Sequence, residues 1–92
     1  MTTPRFSLGR IVATPGLLEI LEQSKESPAV FLDRHIGGDW GDVDDEDKQA
    51  NDQALIDGAR LLSAYHLNDG TKIWIITEAD RASTCLLLPS DY

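Results

Sequence analysis

The fold is decided by the last third of the chain. It reads Arg60-Leu-Leu-Ser-Ala-Tyr-His-Leu67, Asn68-Asp69-Gly70, Thr71-Lys-Ile-Trp-Ile-Ile-Thr77, Glu78-Ala-Asp-Arg-Ala82 and Ser83-Thr-Cys-Leu-Leu-Leu-Pro89. Three segments rich in β-branched, aromatic and leucine side chains alternate with two polar breaks, the pattern of an antiparallel meander. Asp69-Gly70 is a strong hairpin signal, because a type I′ turn needs positive φ at both central residues. With these as the two loop residues, His66 faces Ile73, Tyr65 faces Trp74 and Ala64 faces Ile75. Counting across Glu78 to Ala82 sets Ile75 beside Cys85 and Ile73 beside Leu87. One sheet face would then carry Leu62, Ala64, His66, Ile73, Ile75, Cys85 and Leu87. The other would carry Tyr65, Trp74, Ile76, Thr84 and Leu86. Both are largely apolar, so the sheet requires cover.

Working toward the N-terminus, residues 42 to 57 read as a helix that starts at Asp42 or Asp44 and stops at Gly58. Asp45, Glu46 and Asp47 fall in its first turn, where carboxylates meet the positive end of the macrodipole. Its inward stripe is thin, limited to Ala50, Ala54 and Leu55 with Asn51 beside them. Before it lies a tight Gly37-Gly38-Asp39-Trp40-Gly41-Asp42 loop. Ser27-Pro28 opens a short helix to Ile36, and Thr14-Pro15 opens another to about Ser24. In both, a hydroxyl stands at the N-cap and a proline at the first helical position, where its missing N–H is not needed. Phe6 to Ala13 reads as a strand that joins the meander at either edge, with Gly9 as a candidate bulge. The whole is an α+β fold: an N-terminal strand, three helices, then a three-stranded antiparallel meander with the helices packed on one sheet face.

The chain has 92 residues, enough for a single domain over 1–92, and one of this size buries roughly 60 to 65% of its unfolded surface. No signal sequence or apolar run of membrane-spanning length is visible, and the lone Cys85 has no internal partner for a disulfide. A cytoplasmic protein is the expectation. Cys85, between Thr84 and Leu86, reads as a small apolar residue.

The formal charge is −8, and residues 37 to 58 hold eight acidic groups against Lys48 alone, so this one segment supplies −7. Such a balance, without a basic stripe, opposes direct nucleic-acid binding even though Trp40, Tyr65 and Trp74 would suit a stacking platform. The acidic segment does not match a calcium-binding loop: counted from Asp42, the sixth position is Asp47 and the twelfth Gln53, where glycine and glutamate are required. His35 and His66 have no zinc-ligand spacing, and no metal or cofactor is expected. No nucleophile elbow, phosphate loop or dinucleotide fingerprint occurs.

The words Phe6 to Gly16, Gly38-Asp39-Trp40-Gly41-Asp42 and Asp69 to Arg81 resemble a family of small bacterial proteins met on plasmids and integrated elements. Its members are labelled plasmid-related or hypothetical. The resemblance implies a bacterial mobile-element origin; it brings no activity and no functional residues.

Two functional expectations follow. The first is a non-enzymatic protein that binds a protein partner or a second copy of itself. Trp40, Tyr65 and Trp74 are its candidate aromatic contacts, and Asp45, Glu46, Asp47 and Asp52 form an acidic surface for a basic partner. Self-association through a face made of Trp74, Tyr65, Ile76 and Leu86 is its simplest form. The alternative is a small hydrolase- or nuclease-like enzyme in which His35, Asp39 and Asp42 converge as acid-base groups in a pocket walled by Trp40. That reading requires the three side chains to meet.

Overall fold

A computed structural model describes residues 3–92. In chain order it contains β1 (Arg10–Ala13), α1 (Pro15–Ser24), α2 (Pro28–Ile36), α3 (Asp45–Asp57), β2 (Leu61–His66), β3 (Lys72–Thr77) and β4 (Ser83–Leu87), followed by a 3₁₀ turn at Pro89–Asp91. The α+β class and the element order match the expectation. The four strands form one sheet in the order β1-β4-β3-β2. β2, β3 and β4 make the antiparallel meander, and β1 joins its β4 edge in parallel.

β1 is shorter than the predicted strand, and Gly9 is the reason. It stands at φ 64°, and a Cβ there would run into the carbonyls of Arg81 and Ala82, so extended pairing begins only at Arg10. Ahead of it Phe6 and Leu8 are partly buried, and the Phe6 ring lies edge-on to the His35 imidazole.

The helix boundaries follow their caps. Thr14 accepts from the Leu17 N–H, Ser27 from the Ala29 N–H and Asp44 from the Asp47 N–H. Asp44, then, is the cap of α3, and Asp42 lies outside the helix. Leu17 and Leu21 of α1 and Phe31 of α2 pack with Tyr65, Ile73, Ile75 and Leu86 in the main core.

The meander is offset by one residue from the predicted register, and both turns account for it. His66 pairs with Lys72, Tyr65 with Ile73 and Ala64 with Trp74. The Leu67 N–H donates to the Thr71 carbonyl, so the loop holds Asn68, Asp69 and Gly70. Gly70 stands at φ 90°, and the Asp69 carboxylate accepts from the Thr71 N–H. This is the three-residue hairpin in which a left-handed glycine follows the turn, in place of the two-residue form. At the other end Glu78 N–H donates to the Ser83 carbonyl, which leaves Ala79 to Ala82 as the loop, with Arg81 at φ 59°. Ile75 therefore pairs with Leu86, and Ile76 with Cys85.

Because side chains alternate along a strand, a one-residue shift exchanges partners between faces. The helix-covered face carries Leu61, Ser63, Tyr65, Ile73, Ile75, Thr77, Thr84 and Leu86, all buried. The opposite face carries Leu62, Ala64, Trp74, Ile76, Cys85 and Leu87. Tyr65 and Leu86 are thus separated from Trp74 and Ile76, and the four-residue face expected for self-association does not exist as one surface.

α3 lies along the outer edge of β2. The Asn51 amide donates to the Leu62 carbonyl at 2.7 Å, and its oxygen accepts from the Leu62 N–H at 3.1 Å. One residue pair further along, Ala64 N–H donates to the Trp40 carbonyl and Asp42 N–H donates to the Ala64 carbonyl. A single side-chain amide and one turn of loop occupy the outward hydrogen-bonding groups of Leu62 and Ala64, which an edge strand would otherwise present.

Candidate functional site

His35 sits in the last turn of α2 and points into the domain, where it is fully buried. Its Nδ1 lies 2.5 Å from the Ser63 hydroxyl of β2 and its Nε2 lies 2.8 Å from the Thr77 hydroxyl of β3. Thr77 in turn lies 2.8 Å from the Thr84 hydroxyl, which donates to the Leu8 carbonyl at 2.7 Å. That last contact sets the direction of the whole chain, since a carbonyl only accepts. Thr84 uses its proton on Leu8, so Thr77 donates to Thr84. Thr77 must then accept from Nε2–H, which leaves Nδ1 as the acceptor for the Ser63 hydroxyl. His35 is the neutral Nε2–H tautomer, held by bonds at both nitrogens.

Its surroundings favour the neutral form. The Phe6 ring lies 5.2 Å from the imidazole at 88°, and the Trp40 ring lies 5.7 Å away at 75°. Burial, helped by the positive charge of Arg81, pushes the His35 pKa from 6.5 down to about 4. Among the described residues no buried side-chain nitrogen or oxygen lacks a partner.

The expected catalytic trio is not assembled. Asp39 is exposed and receives the Arg34 guanidinium, with Nε 2.7 Å from its carboxylate. The hydrogen bond from Arg34, and with it the Gly41 N–H, holds the Asp39 carboxyl below its usual range. Asp42 lies 2.7 Å from Nδ1 of the other histidine, His66. Each of the three groups is engaged with a different neighbour, and His35 has turned away from both carboxylates toward the sheet hydroxyls. Ser63 and His35 resemble a nucleophile and base only in residue type. Both are fully buried, and two surface depressions of about 350 Å³ are lined by other residues. Among the described residues no cluster of three histidine, cysteine or acidic side chains is placed to hold a metal ion.

No family model, curated protein or solved structure matches this chain. Its own geometry is what bears on function.

The candidate partner-binding residues divide into two groups. Tyr65 is fully buried, its hydroxyl donating to the Asp39 carbonyl at 2.6 Å and its ring beneath the Arg34 guanidinium. Trp40 is buried beside Ala54 and Leu61, and its indole N–H donates to Asp52 at 3.1 Å. Neither offers surface to a partner, because the Gly37–Asp42 loop folds inward over the sheet edge. Trp74 is half-buried on the helix-free face, where the Tyr92 ring meets it edge-on at 5.8 Å. Asp45, Glu46, Asp47 and Asp52 are all exposed on α3.

Arg81 carries a role that its place in a hairpin loop concealed. Its guanidinium donates to the carbonyls of Ala59 at 2.6 Å, Glu78 at 3.1 Å and Ala54 at 3.1 Å, and it lies 5.7 Å from the Phe6 ring. One side chain thereby ties the β3–β4 loop to the C-terminal end of α3, where a cation is favoured. The sequence cue was a charged residue beside a glycine-free loop, too common to single out. Cys85 is half-buried on the helix-free face; burial, with Asp91 and Glu78 nearby, raises its pKa and keeps the thiol protonated.

Proposed function

We propose that this chain is a non-catalytic protein-binding module that presents α3 to a partner with a basic surface. The observation that carries the reading is how little of α3 is used by the domain itself. Only Asn51 and Ala54 are buried, with Leu55 partly so, while every residue from Asp44 to Ala50 is exposed. The side chains of Asp45, Glu46 and Asp47 have no hydrogen-bond or ion-pair partner among the described residues. Among the described residues the guanidinium–carboxylate pair is Arg34–Asp39, and Asp42 is taken by the His66 imidazole. A helix held along one stripe, with the carboxylates of its first turn unspent and Ile56 exposed at 79%, has the charge to steer association and an apolar contact to hold it. The resemblance to mobile-element proteins suits a basic host protein as the partner, with the carboxylates standing where nucleic-acid phosphates would.

The enzymatic alternative receives no comparable support, since its three residues are dispersed. The scaffold bears on the setting only to this extent: no helix among the described residues is long and apolar enough to cross a membrane.

The test is capture from a bacterial lysate at low salt with the wild-type chain and with Asp45→Asn, Glu46→Gln, Asp47→Asn and Asp52→Asn combined. Asp52→Asn retains an acceptor for the Trp40 indole. A basic partner bound by the wild type, released by moderate salt and lost from the neutralised chain is the expected result. Partners held equally by both chains would show that the carboxylates are not the contact.

A further inference from the structure

The two edges of the sheet are treated differently. β2 is closed by Asn51 and the Trp40–Asp42 turn. β1 is not closed. Arg10 N–H donates to the Ala82 carbonyl and Thr14 N–H donates to the Leu86 carbonyl, so in a parallel ladder Arg10, Val12 and Thr14 direct their hydrogen-bonding groups toward β4. Ile11 and Ala13 direct theirs outward, and these groups have no partner among the described residues. The side chains flanking this edge include Ile11, exposed at 50%, and Val12, exposed at 41%. An open apolar edge is the feature that soluble domains usually block with charge, proline or a covering segment.

We propose that β1 pairs antiparallel with β1 of a second copy, giving one continuous sheet across a two-fold axis. The edge itself selects the register. Pairing Ile11 with Ile11 would bring Ala13 opposite Gly9, whose positive φ has already left the extended strand. Pairing Ala13 with Ala13 would bring Ile11 opposite Pro15, which has no N–H and begins a helix. Pairing Ile11 with Ala13 of the second copy avoids both and uses every outward N–H and carbonyl of the strand. Val12 then meets Val12 on the axis as a non-hydrogen-bonded pair, where Cα atoms approach to about 4.5 Å.

Charge supports the same register. Arg10, Val12 and Thr14 share the helix-free face with Ser83 and Cys85, so Arg10 stands opposite Thr14 of the second copy. The Thr14 hydroxyl donates to Asp91 at 2.7 Å, which fixes an exposed carboxylate at that spot. The Arg10 guanidinium has no hydrogen-bond or ion-pair partner among the described residues. The two-fold axis brings each Arg10 to the other copy's Asp91, so the charges are complementary twice over. A second copy is therefore the occupant favoured over an unrelated strand, which would need to supply the same spacing of anion and cation.

A strand pair this short buries less than the roughly 1,200 to 2,000 Å² of stable interfaces, so the dimer is a weak, concentration-dependent one. It uses no residue of α3, and its failure would leave the reading of α3 untouched.

Sedimentation equilibrium of the full chain tests it, together with oxidative cross-linking. Reversible dimerisation is expected for the wild type. It should weaken roughly tenfold in Val12→Lys, which sets like charges face to face on the axis, and several-fold in Arg10→Gln or Asp91→Asn. Asp91→Asn retains an acceptor for Thr14, so a folding defect is not its expected effect. In a Cys85→Ser background, Val12→Cys should form a disulfide-linked dimer at least roughly ten times faster than Ile56→Cys on α3, because cross-strand Cα spacing at the axis suits a disulfide. A wild type that remains monomeric at millimolar concentration overturns the proposal. So does Val12→Cys cross-linking no faster than Ile56→Cys, or a dimer that survives Val12→Lys and dissociates in Trp74→Ala.

Discussion

His35 and His66 are the two imidazoles of this protein, and they teach opposite lessons about what a histidine beside polar groups means. His66 closes β2 at the surface, its side chain 45% exposed and its Nδ1 2.7 Å from Asp42. His35 lies under two aromatic rings with a hydroxyl at each nitrogen. The first pair has water as an alternative partner, so its net worth is small. The second has none, and each of its bonds must be replaced by an empty buried group if the ring is removed.

The largest test of that difference is His35→Ala. Loss of the ring leaves a cavity beneath Phe6 and Trp40 and strips the Ser63 hydroxyl of its acceptor, with an expected cost of about 3 to 5 kcal/mol in urea unfolding. A cost under about 1 kcal/mol would mean that Ser63 and Thr77 re-pair locally and that the imidazole is filler.

The pH dependence of stability comes next. Between the unfolded value near 6.5 and the native value of about 4, the unfolded chain binds a proton at His35 that the folded chain refuses. Stability must therefore fall as pH falls through this window, and the contribution levels off below about 4. The loss is on the order of 3 kcal/mol. Asp39, whose carboxyl is also depressed, loses its contribution only at lower pH, below the ordinary carboxylate range. Denaturant unfolding at a series of pH values should show the slope in the wild type and a flatter profile in His35→Gln, whose amide can both accept and donate. Equal slopes would assign the acid sensitivity to other groups.

The smallest effect belongs to His66→Ala, expected to change stability by no more than about 0.5 kcal/mol at neutral pH and moderate salt. A loss near that of His35→Ala would show that the Asp42 contact fastens the loop along β2 and that the two sites are less different than their burial implies.

Much of the scaffold was legible in the residues. The paired Thr14-Pro15 and Ser27-Pro28 signals each open a helix, and Gly58 closes α3 in the left-handed conformation. The meander was legible as three strands, yet its register was not, because Asp69-Gly70 is compatible with both two- and three-residue loops. The choice is made when Tyr65, Ile73 and Leu86 are buried together under α1 and α2. The candidate site was misread for a related reason. His35 and Asp39 are close in sequence, and the turn between them invites a pairing, but the helix carries the imidazole inward while Arg34 takes Asp39 at the surface.

Local chemistry in the sequence determined where helices start and stop, which segments extend and where the negative charge accumulates. These depend on caps, φ preferences and composition within a few residues. Only the tertiary structure decided that Ser63, Thr77 and Thr84 would form one polar line with His35, that Arg81 would bind the end of α3, and that β1 and β2 would be the sheet edges, with Asn51 and the Trp40–Asp42 turn covering β2 at Leu62 and Ala64. Each brings together groups far apart in the chain, and a buried donor or acceptor is satisfied by whichever partner the packing delivers, a choice no local pattern encodes.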